Sequence, residues 1–127
     1  MALKDEARGW MEKAKSDLKH AKSSLELGDH DWTQLASQQA AEKALKSVCI
    51  SKGIGLMRVH DLTVLARKLD APRNILEQAG LLNPFYAASR YPDVEMALDE
   101  KQKRHAAEDA VSSATNILQW CKKQMRT

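Results

Sequence analysis

The sequence predicts an all-α protein, an up-and-down antiparallel helical bundle of about five helices. Three observations predict it. Ala, Leu, Lys, Glu, Gln and Met, all good helix formers, dominate its 127 residues. Turn and strand formers are scarce: 5 Gly and 3 Pro, with 1 Phe and 2 Tyr, which excludes a β-sandwich or barrel. The breaks are also unevenly placed. Gly28, then Gly53 and Gly55, interrupt the first half, and Pro72, Gly80, Pro84 and Pro92 crowd into one region. Three long uninterrupted segments remain. With 43% hydrophobic residues the chain can bury a real core, and its length suits a single domain over 1–127.

The first segment runs from about Leu3 to Leu27. Leu3, Ala7, Trp10, Met11, Ala14, Leu18, Ala21 and Leu25 recur by threes and fours, so they fall in one arc of a helix. Gly28 suits the stop just past its end. The second segment runs from about Asp31 to Lys52, with Asp31 and Gln34 spaced for a capping box. Trp32, Leu35, Ala36, Ala40, Ala41, Ala44, Leu45, Val48 and Cys49 spread around much of its circumference. Such breadth implies burial on several sides and makes this the central helix.

A short helix over 61–70 puts Leu62, Leu65, Ala66 and Leu69 on one side, with Asp61 as its N-cap. Another starts after Pro72 and carries Ile75, Leu76, Ala79, Leu82 and Tyr86, bent near Gly80 or Pro84. A loop, SRYPDVEMALD, is expected next. The last helix runs from about Asp99 to Met125, with Ala107, Ala110, Val111, Ala114, Ile117, Leu118 and Cys121 as its apolar stripe. Trp120 lies at the edge of that stripe, where it suits an interface.

The net charge is +3, spread evenly, which permits contact with nucleotide or nucleic acid without demanding it. Two cysteines, Cys49 and Cys121, are too few for a disulfide framework, and their core positions favour packing in a reduced state. No apolar run approaches a membrane span, and the opening MALKDEARGW has no signal-peptide core. A soluble, cytoplasmic protein with no membrane contact is expected.

Several side-chain groups could carry chemistry. A di-metal site in a bundle wants paired Glu-x-x-His motifs, and Asp17-x-x-His20 has no second copy. No metal and no cofactor are expected. Lys4, Arg8, Lys15, Lys19 and Lys22 fall within about 60° of the first helix's circumference. They form either a solvated flank or a phosphate-tracking face. Gln39, Glu42, Lys43 and Lys46 make one polar ridge on the central helix. The ridge is either its exposed side, stitched by i,i+4 pairs, or the wall of a groove for a polar ligand or partner helix.

The stretch Ser89-Arg90-Tyr91-Pro92-Asp93 is the most unusual. Pro92 pushes Tyr91 out of the α region and ends the helix there. Arg90 beside Tyr91 can clamp a phosphate while the ring stacks on a base. Alternatively Arg90 ties to Asp93 and fixes the loop. His60 precedes the Asp61 cap, as a titrating group or as a structural one.

Taken together these pieces resemble the HEPN family (higher eukaryotes and prokaryotes nucleotide-binding). The matching residues are Trp10, Ala14, Asp17-Leu18 and Ala21, Gly28-Asp29 before Trp32, and the run Gln38-Gln39-Ala40-Ala41-Glu42-Lys43-Ala44-Leu45-Lys46. They continue with His60-Asp61-Leu62, Leu65 and Tyr86, and end in the Arg90-Tyr91-Pro92-Asp93 motif. The resemblance implies an all-α HEPN-like bundle that forms a homodimer. It also implies a small minimal nucleotidyltransferase (MNT) as partner, in a toxin–antitoxin-like pair, and nucleotide or RNA binding. Ligand-binding residues would be Arg90, Tyr91, Asp93, Gln39, Glu42, Lys43, Lys46 and His60.

Several HEPN branches are ribonucleases that carry Arg, four to six residues, then His. None of His20, His30, His60 and His105 follows an arginine at that spacing. A general acid or base must lie within hydrogen-bond reach of the proton it moves, and these spacings do not guarantee that. A binding and assembly role, without catalytic residues, is therefore the expectation. The alternatives are a metal-independent endoribonuclease using Arg90 and Tyr91 with His60 or His105, and a purely structural dimeric scaffold.

Overall fold

Residues 2–90 and 99–125 are described by a computed structural model, with the side chains of 4–84 and 99–125. The described residues form five helices and no strand: α1 (Ala2–Leu27), α2 (His30–Ser51), α3 (Leu62–Lys68), α4 (Arg73–Arg90) and α5 (Glu100–Gln124).

The apolar arc of α1 is its buried face: Ala7, Met11, Ala14 and Ala21 are buried, with Trp10, Leu18 and Leu25 half-buried. The helix stops at Gly28, whose φ of 79° is costly for a residue with a Cβ. The Gly28 N–H donates to the Leu25 carbonyl at 3.1 Å and the Asp29 N–H to the Ser24 carbonyl at 2.9 Å. This closing turn sends the chain back antiparallel as α2.

The start of α2 differs from expectation. Its N-cap is Asp29, and the Asp31–Gln34 capping box does not form. The tight turn at Gly28 brings the chain into helical geometry two residues early. Asp31 then falls in the first turn, where its charge faces the positive end of the helix dipole. The Thr33 N–H and hydroxyl both donate to the Asp29 carbonyl at 3.0 Å. Trp32, expected in the core, is 66% exposed because it lies on the side of α2 opposite the buried Ala41 and Val48.

The rest of α2 is the centre of the bundle and packs against each of the other four helices. Ala40, Ala41, Ala44, Leu45, Val48 and Cys49 are fully buried. Their core partners are Met11 and Ala14 of α1, Leu62 and Leu65 of α3, Ile75, Ala79 and Leu82 of α4, and Ile117, Leu118 and Cys121 of α5. The alanines leave little side-chain bulk, so the surrounding helices approach closely. Trp120 packs partly buried against this core.

Asp61 caps α3 as expected, accepting from the N–H groups of Thr63 and Val64 at 2.9 and 3.3 Å. The fourth helix runs through Gly80 and Pro84 as far as Arg90, so Ser89 and Arg90 belong to a helix rather than a loop. Proline removes one helical N–H, and the other turns hold the helix together. Asp99 and Gln102 form a reciprocal capping box that starts α5. No helix of the described residues is long and apolar enough to cross a membrane.

Candidate functional site

The connection from α2 to α3 doubles back at two glycines, Gly53 and Gly55, with φ of 79° and 95°. The N–H groups of Ile54 and Gly55 both donate to the Cys49 carbonyl, which closes the end of α2. The chain then returns along α2 and sets His60 beside Glu42. His60 Nδ1 lies 3.1 and 3.2 Å from the two carboxylate oxygens. An ionised carboxylate only accepts, so the imidazole donates its Nδ1–H. Gln38, fully buried, donates to Glu42 at 3.3 Å and to the His60 carbonyl at 3.5 Å.

Glu42 is itself buried and faces a buried cation, Lys46 Nζ, at 3.1 Å. Lys46 also stands 5.9 Å from the centre of the Trp10 ring, within the range of a cation–π contact. A buried charge of either sign is tolerable when such partners surround it. The polar ridge of the central helix is therefore not a solvated face. Lys43 pairs with Asp17 of α1. Gln39 donates to the Gln38 side-chain oxygen at 2.6 Å. Of the four ridge positions, Glu42 and Lys46 are buried and Gln39 and Lys43 half-buried, and Gln39, Glu42 and Lys46 belong to one polar network with Gln38.

His60 is the half-exposed member of that network, its side chain 55% accessible. Asn83 of α4 locks the adjoining segment. Its amide donates to Asp61 at 2.9 Å and to the Thr63 hydroxyl at 3.1 Å, and its oxygen accepts from the Leu62 N–H at 2.8 Å. Burial is the largest single influence and pushes the Asp61 carboxyl up, but the bonds from Asn83, Val64 and Thr63 and the charge of Arg67 together outweigh it, and the pKa falls. Arg90 follows Asn83 by seven residues on α4, on the same helix face and about 10 Å further along the axis. The Arg90 side chain, Tyr91 and Asp93 lie outside the described residues, and so do the expected Arg90–Asp93 tether and Arg90–His60 meeting.

The remaining histidines are differently placed. His105 is exposed on α5, 3.9 Å from Glu108. His30 is largely buried near Glu100 at 3.8 Å, and His20 is exposed. No group of three metal-ligating side chains occurs among the described residues, and Asp17 is committed to Lys43. Cys49 and Cys121 are buried and unbridged. Burial pushes both thiols up, and for Cys121 the neighbouring Cys49 adds to the rise.

Sequence reasoning missed Gln38, Trp10, Asp17 and Asn83 as parts of this arrangement. Trp10, Asp17 and Asn83 meet partners from other elements and Gln38 reaches the His60 carbonyl of the α2–α3 connection, and helical periodicity reports a face but not its counterpart.

A family model for the HEPN domain matches residues 7–124. Similar solved structures include TT1696 from Thermus thermophilus, 35% identical with a TM-score of 0.83, covering 93% of this chain and 97% of that one. ST0689, an archaeal HEPN homologue, is 31% identical with a TM-score of 0.81, covering 94% of this chain and 98% of that one. A HEPN domain protein (tm0613) from Thermotoga maritima is 29% identical with a TM-score of 0.75, covering 91% and 95%. Among curated proteins none matches. A family match across nearly the whole chain, over a bundle of the same shape, means that this protein belongs to the HEPN domain family.

Proposed function

We propose that this HEPN protein is a binding and assembly module that takes the phosphate of a nucleotide or RNA. It works in the cytoplasm as a homodimer and pairs with a small nucleotidyltransferase in a toxin–antitoxin-like system. The observation that carries the reading is the half-exposed His60 held by the buried Glu42–Lys46 pair. A buried charge network is expensive, and one that presents a single imidazole at the surface is better explained by a ligand than by stability. In this reading Arg90 supplies the phosphate fork, together with Tyr91 and Asp93, its neighbours in sequence. Glu42, Lys46, Gln39 and Lys43 act from behind, as groups that orient His60 and fix α2 against α1.

Calorimetric titration with ATP, GTP and short RNA tests the ligand. Sedimentation tests the homodimer, and co-purification with a co-expressed nucleotidyltransferase tests the partner. Absence of heat with all three ligands would remove the binding reading.

The Glu42–His60 bond also favours a second reading, a metal-independent ribonuclease. A carboxylate that fixes one imidazole nitrogen is how a general base is oriented. His60 suits that role better than His105, whose carboxylate neighbour stands at 3.9 Å. This reading requires RNA cleavage in chelator, lost in both His60→Ala and Arg90→Ala. RNA left intact after long incubation excludes it.

A further inference from the structure

Five cations of α1, Lys4, Arg8, Lys15, Lys19 and Lys22, are all exposed. Among the described residues Lys15 alone of the five has a carboxylate partner, Glu12 at 3.2 Å. Lys4 and Lys22 are eighteen residues apart, so the row is about 27 Å long. A second helix extends it. Asn116 of α5 reaches Gln78 of α4 at 2.7 Å, so that flank of α5 faces α4. The flank across its buried stripe, where α1 packs, carries exposed Arg104 and Lys122. Glu26, Glu100 and Glu108 are the exposed acids interspersed on this surface, and Glu12 lies at its margin. Seven cations therefore stand against four carboxylates on this flank, in a chain whose net charge is only +3.

We infer that this α1–α5 flank is a phosphate-contact face of its own, running along an RNA strand rather than gripping one nucleotide. A nucleic-acid strand carries one negative charge per nucleotide at regular spacing, so a row of this length runs beside several phosphates. Unpaired lysines and arginines spaced along a helix suit such an array. They contribute contact without base recognition, so binding here is independent of sequence and strongly dependent on salt. An acidic protein surface is the competing occupant, but a straight row of cations along α1, flanked by Arg104 and Lys122 of α5, matches a regular polyanion better than a folded surface. The inference rests on the reading that the ligand carries phosphate, and it selects RNA over a free nucleotide.

The test is fluorescence anisotropy with a labelled single-stranded RNA of about 20 nucleotides across a salt series. The wild type is compared with Arg8→Glu/Lys19→Glu/Lys22→Glu and with the corresponding triple glutamine variant, which keeps helix propensity and controls for folding. Each triple variant is expected to bind RNA at least roughly tenfold more weakly, with the log–log salt slope reduced by about 2. ATP binding, followed by calorimetry, should stay unchanged. Unaltered RNA affinity and slope in both variants would overturn the inference. So would competition by poly-glutamate as effective as that by RNA, which would assign the face to an acidic protein. A wild type that binds ATP but no RNA overturns the inference and leaves the phosphate reading standing, whereas failure to bind either removes both.

Discussion

The Glu42 carboxylate stands 3.1 Å from Lys46 Nζ on one side and 3.1 Å from His60 Nδ1 on the other. One buried anion thus connects a buried cation on its own helix to an imidazole at the surface. The arrangement has a measurable signature, because removing the anion strands the cation.

Glu42→Ala is expected to cost about 3–5 kcal/mol, since Lys46 would be left buried and uncompensated. Adding Lys46→Met should recover much of that loss. Urea denaturation of the two single variants and the double variant checks both statements. Additive losses in the double variant would mean that the pair is not coupled.

Asp61→Ala is expected to cost about 1 kcal/mol through loss of the α3 cap. The sign of its pH dependence follows from the lowered carboxyl pKa. A depressed value means that the contribution is fully present above the unfolded pKa of about 3.9. It fades as pH falls through the lower folded value. Melting temperatures of the wild type and Asp61→Asn between pH 2 and pH 6 should therefore converge at the acid end (an interval of about 4 units around the reference carboxyl value).

Two glycines should respond in opposite directions. Gly28 has φ of 79° and Gly9 is helical, and a Cβ at either meets nothing within 4 Å. Space is equal, so backbone conformation decides. Gly28→Ala should destabilise by about 1 kcal/mol and Gly9→Ala should stabilise by a similar amount. Thermal melts of the two variants provide the comparison.

Cys49 and Cys121 are buried, and burial raises both thiols toward the protonated form. The thiolate is the reactive species, so native protein should react with a disulfide reagent at mildly alkaline pH only as fast as it opens. Both thiols should react at once in denaturant. Rapid reaction of native protein would contradict their placement in the core.

Much of the bundle was legible because it depends on local signals. The apolar arc of Ala7, Met11, Ala14 and Ala21 and the alanine-rich breadth of Ala40, Ala41 and Ala44 both mark burial correctly. Asp61 and Asp99 marked helix starts because a cap acts within three residues. The Asp31 cap failed because the Gly28 turn takes up only one residue before the helix begins, and Trp32 failed because the nine residues to the buried Ala41 put it on the opposite side of α2. The polar ridge stayed open between two readings for a deeper reason. Glu42 and Lys46 look like any exposed i,i+4 pair until Trp10 and His60 arrive from elsewhere in the chain. Composition cannot distinguish a charge facing water from one facing a buried counter-charge.

Ligand titration by calorimetry bears most directly on the central claim, with protein at about 100 μM so that weak binding registers. Heat is predicted with at least one of ATP, GTP or short RNA, together with affinity at least roughly tenfold lower in both His60→Ala and Arg90→Ala, each still folded by circular dichroism. A wild type that gives no heat with any of the three would contradict the account and leave the Glu42–His60 network a structural feature of the bundle.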